Sequence, residues 1–262
     1  MYERFMLNRL FDGLLARHPI RTVLEVPLYG MTGLTGINSV RFAERGCDLA
    51  LVDSRKESIE EARRLLDTLP HGGRCTTVHQ ANLSRLPFAD RGFDLVWNFA
   101  ALWHVKNAEG LLSEMARVSS HLVLVVVANT AQPAYRLRKH LVDKGFFATV
   151  DERWTDIGRV NGCLSALGMH RVAQGVVDVP PWPDTCMPIG KIMEKIGLRR
   201  EGRGRRRDSK RLWRWDIMEH YLGRDRTLKR AIGRLAFLEE LPIPWWMKTV
   251  WAHHRYSVFS KD

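Results

Sequence analysis

Apolar residues recur at helical spacing at Met6, Leu7, Leu10, Phe11, Leu14 and Leu15, so the chain opens on an amphipathic helix that ends before Pro19. The pattern then changes period. Thr22-Val23-Leu24-Glu25-Val26 reads as a buried strand, and a loop from Pro27 to Gly36 carries glycines at 30, 33 and 36. A helix from about Ile37 to Glu44 leads to a second strand, Asp48-Leu49-Ala50-Leu51-Val52, ending on Asp53. Ser54 and Glu57 read as a capping box for a helix through Leu69. Thr76 to Gln80 is a short third strand, Phe93 to Phe99 a fourth, and Ala108 to Val118 a helix. Leu122 to Ala128 is a fifth strand, with the near-continuous apolar content of a buried parallel element. Strands alternating with helices in this way predict an α/β fold with a doubly wound, mostly parallel sheet.

Beyond Asn129 the regular alternation stops. Tyr135 to Lys144 and Arg159 to Leu167 read as helices, and His170 to Val179 as a strand closed by Pro180-Pro181-Trp182-Pro183. Helical stretches are predicted at Gly190 to Ile196, Leu212 to Leu222 and Leu228 to Leu238, before a final strand from Arg255 to Ser260. A natural topology returns that last strand to the sheet edge. The division expected is a Rossmann-like unit over residues 1–179, a basic, Trp-rich helical cap or insertion over 180–250, and a returning strand over 251–262.

Charge sharpens this picture. The net charge is +12, and between Lys191 and Arg234 there are 16 Lys or Arg against 6 Asp or Glu. A basic partner surface therefore belongs to the C-terminal third. No apolar run approaches the ~20 residues that span a bilayer. The N-terminal helix carries Glu3, Arg4, Arg9 and Asp12, unlike a signal peptide. Four cysteines, Cys47, Cys75, Cys163 and Cys186, lack CxxC or zinc spacing and read as reduced thiols of a cytoplasmic protein.

The chemistry concentrates between Thr22 and Asp53. Glycines let backbone pass close to a ligand, and a carboxylate at the carboxyl end of the second strand is placed to accept ribose hydroxyls. A dinucleotide fingerprint requires Gly-x-Gly-x-x-Gly directly after the strand, whereas here the spacing is Gly-x-x-Gly-x-x-Gly and starts late.

Four stretches resemble the class I S-adenosylmethionine-dependent methyltransferases, specifically the type 11 domains. They are Val23-Leu24-Glu25-Val26 with Gly30-Met31-Thr32-Gly33; Asp53; Asn82-Leu83-Ser84-Arg85-Leu86-Pro87-Phe88 with Phe93-Asp94-Leu95-Val96; and Asn98 through Val105. The resemblance covers roughly residues 1 to 128 and implies S-adenosylmethionine as methyl donor. It implies a cofactor site of Glu25, Gly30, Thr32, Gly33, Asp53, Asn82, Leu83 and Asn98. Two positions depart from the family pattern. Pro27 and Tyr29 stand at the first glycine positions, and Asn82 replaces an aspartate, although its carbonyl still accepts a hydrogen bond from an adenine amine.

Methyl transfer from a sulfonium is an in-line displacement in which positioning supplies most of the acceleration, so a catalytic base is needed only where the acceptor loses a proton. His104 is the candidate base, with packing against the next helix as its structural alternative. His253-His254 could also approach the site, but adjacent strand residues face opposite ways, so at most one would reach it. No carboxylate or cysteine pairs with them at ligand spacing, so no metal is expected. Trp182, Trp213, Trp215, Trp245, Trp246 and Trp251 interleave with Arg205-Arg206-Arg207, Lys210-Arg211, Arg214 and Lys248. This suits an amphiphilic, lipid-like acceptor and an anionic membrane face, with peripheral attachment. RNA is the rival acceptor, and a non-catalytic partner protein on the same fold is the third reading.

Overall fold

The computed structural model describes residues 2–28, 34–142, 144–180, 217–224 and 228–261. Seven strands form one sheet in the order β3-β2-β1-β4-β5-β7-β6. They are β1 (Thr22–Glu25), β2 (Asp48–Asp53), β3 (Cys75–His79), β4 (Phe93–Phe99), β5 (Ser119–Ala128), β6 (His170–Val177) and β7 (His254–Ser260). β1 pairs in parallel with β2 and β4, β2 with β3, and β4 with β5. β7 runs antiparallel to both of its neighbours, β5 and β6.

Period-two alternation decides which layer each strand residue enters. Val23, Leu49, Leu51, Leu95, Trp97, Leu122 and Leu124 face one layer, built with α1 (Tyr2–Leu15), α2 (Val40–Glu44) and α3 (Lys56–Leu66). Leu24, Val26, Val52, Val96, Val123 and Val125 face the other, packed against α4 (Ala108–Val118) and the helix Ile157–Ala166. Each central strand is thus buried on both faces, which explains its unbroken apolar reading.

The Leu-Pro-Phe and Phe-Asp-Leu-Val stretches turn out to be framework. Glu114 of α4 accepts from the Leu86 amide at 2.6 Å, and Arg117 donates to the Phe88 carbonyl at 2.9 Å and to Leu86 at 3.2 Å. Asp94 accepts from the amides of Arg21 (2.8 Å) and Thr22 (3.0 Å), fixing the start of β1 against β4. These bonds hold its carboxyl below the usual range, outweighing the upward push of partial burial.

Three expectations need correction. The last strand does not take the edge: β7 inserts between β5 and β6, burying Val258 and Phe259, and the half-exposed β6 takes the edge instead. The capping box does not form at α3. Arg55 is the N-cap residue, without a side-chain cap, and its amide donates to Asp53 Oδ1 at 2.8 Å. The predicted helix from Tyr135 is broken, into Pro133–Leu137, a π-turn over Arg138–Val142 and Lys144–Phe147. Between β6 and β7 the described residues hold short helices at Ile217–Tyr221, Leu228–Leu235, Phe237–Glu240 and Trp245–Lys248. The predicted helix at 190–196, Cys186, and Trp182, Trp213 and Trp215 lie outside the described residues. Among the described residues, no helix is long and apolar enough to cross a membrane.

Candidate functional site

Parallel strands end together, so the loops after β1, β2 and β4 converge at one edge of the sheet. There they enclose a cavity of about 690 Å³, lined by Pro27 and Leu28 after β1, Asp53 to Arg55 after β2, Ala81 to Ser84 after β3, and Ala101 and His104 to Asn107 after β4. The volume is that of an ordinary small-molecule pocket, about 300–1,000 Å³.

The sequence-predicted residues divide into three groups. Asp53, Asn82, Leu83 and His104 all line this cavity. Asp53 is almost wholly buried, and Leu83 is buried in the opposite wall. Asn82 is exposed, and its Oδ1 accepts from the Ser84 amide at 3.0 Å, which shapes the loop. Asn107 caps α4 by accepting from the Gly110 amide at 2.9 Å. A Cβ on Gly110 would fall 2.5 Å from Ser84 Oγ, so glycine is what lets this wall close on α4.

Glu25 and Asn98 lie behind the cavity rather than in its lining. Strand alternation turns Asn98 under α4, where its Nδ2 meets Met115 Sδ at 3.6 Å. Glu25 faces the other layer and accepts from Ser39 Oγ at 2.5 Å, and that hydroxyl in turn accepts from Trp97 Nε1 at 2.8 Å. Burial raises the Glu25 carboxyl to about 7, against the opposing hydrogen bonds of Ser39 and Asn38. Gly30, Thr32 and Gly33 lie outside the described residues.

His104 stands at the mouth with its ring exposed, 5.8 Å from the Phe146 ring and 5.6 Å from Trp103. Partial desolvation, then the nearby Arg55 cation, lower its pKa, so the imidazole is neutral at pH 7 and able to take a proton.

Arg55 is the residue that sequence reasoning missed. Its Nε reaches Asp53 Oδ1 at 2.9 Å, and its Nη2 reaches Asp53 Oδ2 at 3.1 Å and the Leu28 carbonyl at 2.9 Å. Its position two residues after the strand acid, within the stretch read as a Ser54–Glu57 capping box, was the available signal. Lys106 was missed as well, and it brings a second cation to the rim.

The donor set fits an adenosyl cofactor. A buried carboxylate faces the cavity from the end of β2, with apolar Leu28 and Leu83 on either side. Arg55 now engages both Asp53 oxygens, but its own side chain is 56% exposed, so it can turn outward and release them. Asp53, Leu28, Asn82 and Leu83 are the residues that would hold the group.

Comparison with known proteins agrees with this geometry. Residues 31–126 match the model of a methyltransferase domain family. A malonyl-(acyl-carrier protein) O-methyltransferase of Enterobacter lignolyticus is 29% identical over 140 residues, 52% of each chain, so the chain spans about half the length of this curated relative. Magnesium protoporphyrin IX methyltransferase from Synechocystis, solved with bound S-adenosylhomocysteine, aligns at a TM-score of 0.52 with 16% identity, over 68% of this chain and 78% of that one. The 4+2 cyclase SpnF aligns at 0.54 with 14% identity, over 97% and 80%. At such identities these structures speak for the fold alone, and a cyclase among them shows that the fold serves other chemistry as well. The family match, the strand order and the carboxylate at the tip of β2 converge: residues 31–126 carry a methyltransferase domain of the class I, S-adenosylmethionine-dependent kind.

Proposed function

We propose that the protein transfers a methyl group to a small amphiphilic acceptor of lipid-like character. The observation that carries this reading is the meeting of Asp53, Asn82, Leu83 and His104 around one cavity, from the ends of three different strands. When bound, S-adenosylmethionine supplies an electrophilic methyl on a sulfonium. The protein's part is to bind and orient. Asp53 would accept from the ribose hydroxyls, and Leu83 and Asn82 would flank the adenine. Gly30, Thr32 and Gly33 are assigned to the cofactor by the family resemblance of their motif. Glu25 and Asn98 support this shell from behind. His104 takes a proton at a ring nitrogen where the acceptor must lose one.

The amphiphilic acceptor is favoured by the surface near the C-terminus. Phe237, Trp246, Met247, Val250 and Trp251 are exposed there, in a chain whose adjacent sequence is strongly basic. An apolar tail and an anionic head match that combination. The name of the curated relative, a malonyl-(acyl-carrier protein) O-methyltransferase, makes malonyl and related acyl groups the first acceptors to try.

The test is transfer of labelled methyl to a panel of acyl carboxylates, acyl thioesters and RNA, preceded by calorimetric titration with S-adenosylhomocysteine. Saturable heat and label in an acyl acceptor support the proposal. Label in RNA transfers the reading to nucleic acid, and absence of heat makes the fold a binding module without catalysis. With the acceptor found, His104→Gln should lower kcat about 100-fold if the proton leaves during transfer, with cofactor affinity unchanged.

A further inference from the structure

On the β5–β7–β6 side of the same carboxyl edge lies a second set of chemically capable side chains that the cofactor cavity does not use. Asp178 follows β6, His253 immediately precedes β7, His254 opens it, and Glu3 stands in the first turn of α1. One potential ligand atom from each of Glu3, Asp178 and His254 lies within 4.8 Å of the others. Asp178 and His254 are buried, and Glu3 is partly so.

Three features mark this as a built site. The His254 ring is 8% exposed, yet its Nδ1 makes no hydrogen bond. It stands 3.4 Å from Asp178 Oδ2. Two ligands of a tetrahedral ion at about 2.0–2.1 Å sit roughly 3.3 Å apart, so this spacing, long for a hydrogen bond, is right for a shared metal. Secondly, His253 Nδ1 lies 3.0 Å from the same Oδ2, the arrangement of an outer group that orients a ligating carboxylate. Thirdly, Asp178 has φ 67, a left-handed conformation that non-glycine residues rarely take. It is held there by Glu239, which accepts from the Asp178 amide at 3.0 Å and the Val179 amide at 2.8 Å, and by the His253 amide, which donates to the Asp178 carbonyl at 2.8 Å. Backbone held in this way aims the carboxylate at a fixed point.

We propose that Glu3, Asp178 and His254 bind a divalent first-row transition metal ion, zinc being the reference case, with His253 as the positioning residue behind Asp178. One nitrogen and two carboxylates form a borderline set that suits Zn²⁺, Mn²⁺ or Fe²⁺ better than the all-oxygen ions. A dication balances the two carboxylate charges, which among the described residues have the histidines beside Asp178 and Arg4, 3.9 Å from Glu3, as ion-pair partners. Three protein ligands leave an open position for water or another ligand. The inference is independent of the methyl-transfer reading, because none of these residues lines the cofactor cavity.

The test is titration of the chelator-treated full chain with Zn²⁺ by calorimetry, and with Co²⁺ followed by visible absorption. One site per chain is expected, without the thiolate-to-cobalt band that binding at Cys47, Cys75 or Cys163 would give. Asp178→Asn and His254→Gln should abolish it. Glu3→Gln, on a partly exposed helix turn where folding is not at stake, should weaken it at least tenfold, while the remote His71→Gln leaves it unchanged. No saturable binding, binding unaffected by Glu3→Gln and His254→Gln, or a thiolate band would overturn the proposal.

Discussion

The two halves of the sheet place functional groups at the same edge by different means. In the β3-β2-β1-β4 half each cavity residue comes directly after its own strand, so Leu28, Asp53, Asn82 and His104 take their positions from the parallel βα repeat. In the β5-β7-β6 half β7 runs antiparallel, and Asp178 meets residues from the two ends of the chain. The first arrangement leaves a local trace in the sequence, a carboxylate at the tip of a hydrophobic strand. The second leaves none, since Glu3, Asp178 and His254 become neighbours only once β7 has inserted beside β6.

The largest effect that tests the first half is Asp53→Ala. Loss of two charge-assisted hydrogen bonds at about 1.5–3 kcal/mol each predicts a fall in S-adenosylhomocysteine affinity of about 100-fold or more. Calorimetric titration measures it. An alanine variant that binds like the parent would remove the carboxylate from the site, and with it the contrast between the two halves.

A smaller effect concerns Glu25, which the strand pattern located but whose surroundings it could not give. The folded-state carboxyl is raised to about 7 by burial from an ordinary 4.5. A raised folded pKa means that the folded state holds the proton more tightly. Its contribution to stability is therefore complete below about 4.5, declines as pH rises, and is gone above about 7. Such a shift corresponds to about 3 kcal/mol. Glu25→Gln keeps the hydrogen bond to Ser39 without the titration, so urea midpoints of the two proteins should diverge from pH 4 to 8 in favour of the variant. Parallel curves would mean that Glu25 is ionised and paired in the folded protein.

These cases show why legibility stopped where it did. The strands of the parallel core and α4 to the residue were readable because burial on two faces writes continuous apolar runs, whereas Asn82 and Leu83 came from the family resemblance. Asn98 was placed in the site by motif, but period-two alternation, also written in the sequence, sends it under α4 beside Val96. His253 and His254 were expected to face apart, yet both ring nitrogens approach Asp178, because His253 precedes the strand and escapes its alternation. The edge position of β7 was a topological default, and the burial of Val258 and Phe259 on its two faces argues against it.

The smallest predicted effect is the most discriminating, because it concerns a residue that belongs to the cavity without any trace in the motif. Arg55 holds both Asp53 oxygens and the Leu28 carbonyl, the acceptors a bound nucleoside would need. It thus competes with the ligand from within the chain. Its side chain is more than half exposed while that of Asp53 is buried, so the pair is worth about 1 kcal/mol or less after screening. Arg55→Ala should therefore tighten S-adenosylhomocysteine binding about two- to fivefold, the factor that free energy allows. The same argument fixes a salt response. Added salt weakens the exposed end of the pair, so the parent should gain affinity between low and moderate ionic strength while Arg55→Ala does not. If the variant instead binds more weakly, Arg55 grips the ligand rather than guarding its place, and Asp53 then works as one member of an acid–base pair rather than as a lone carboxylate.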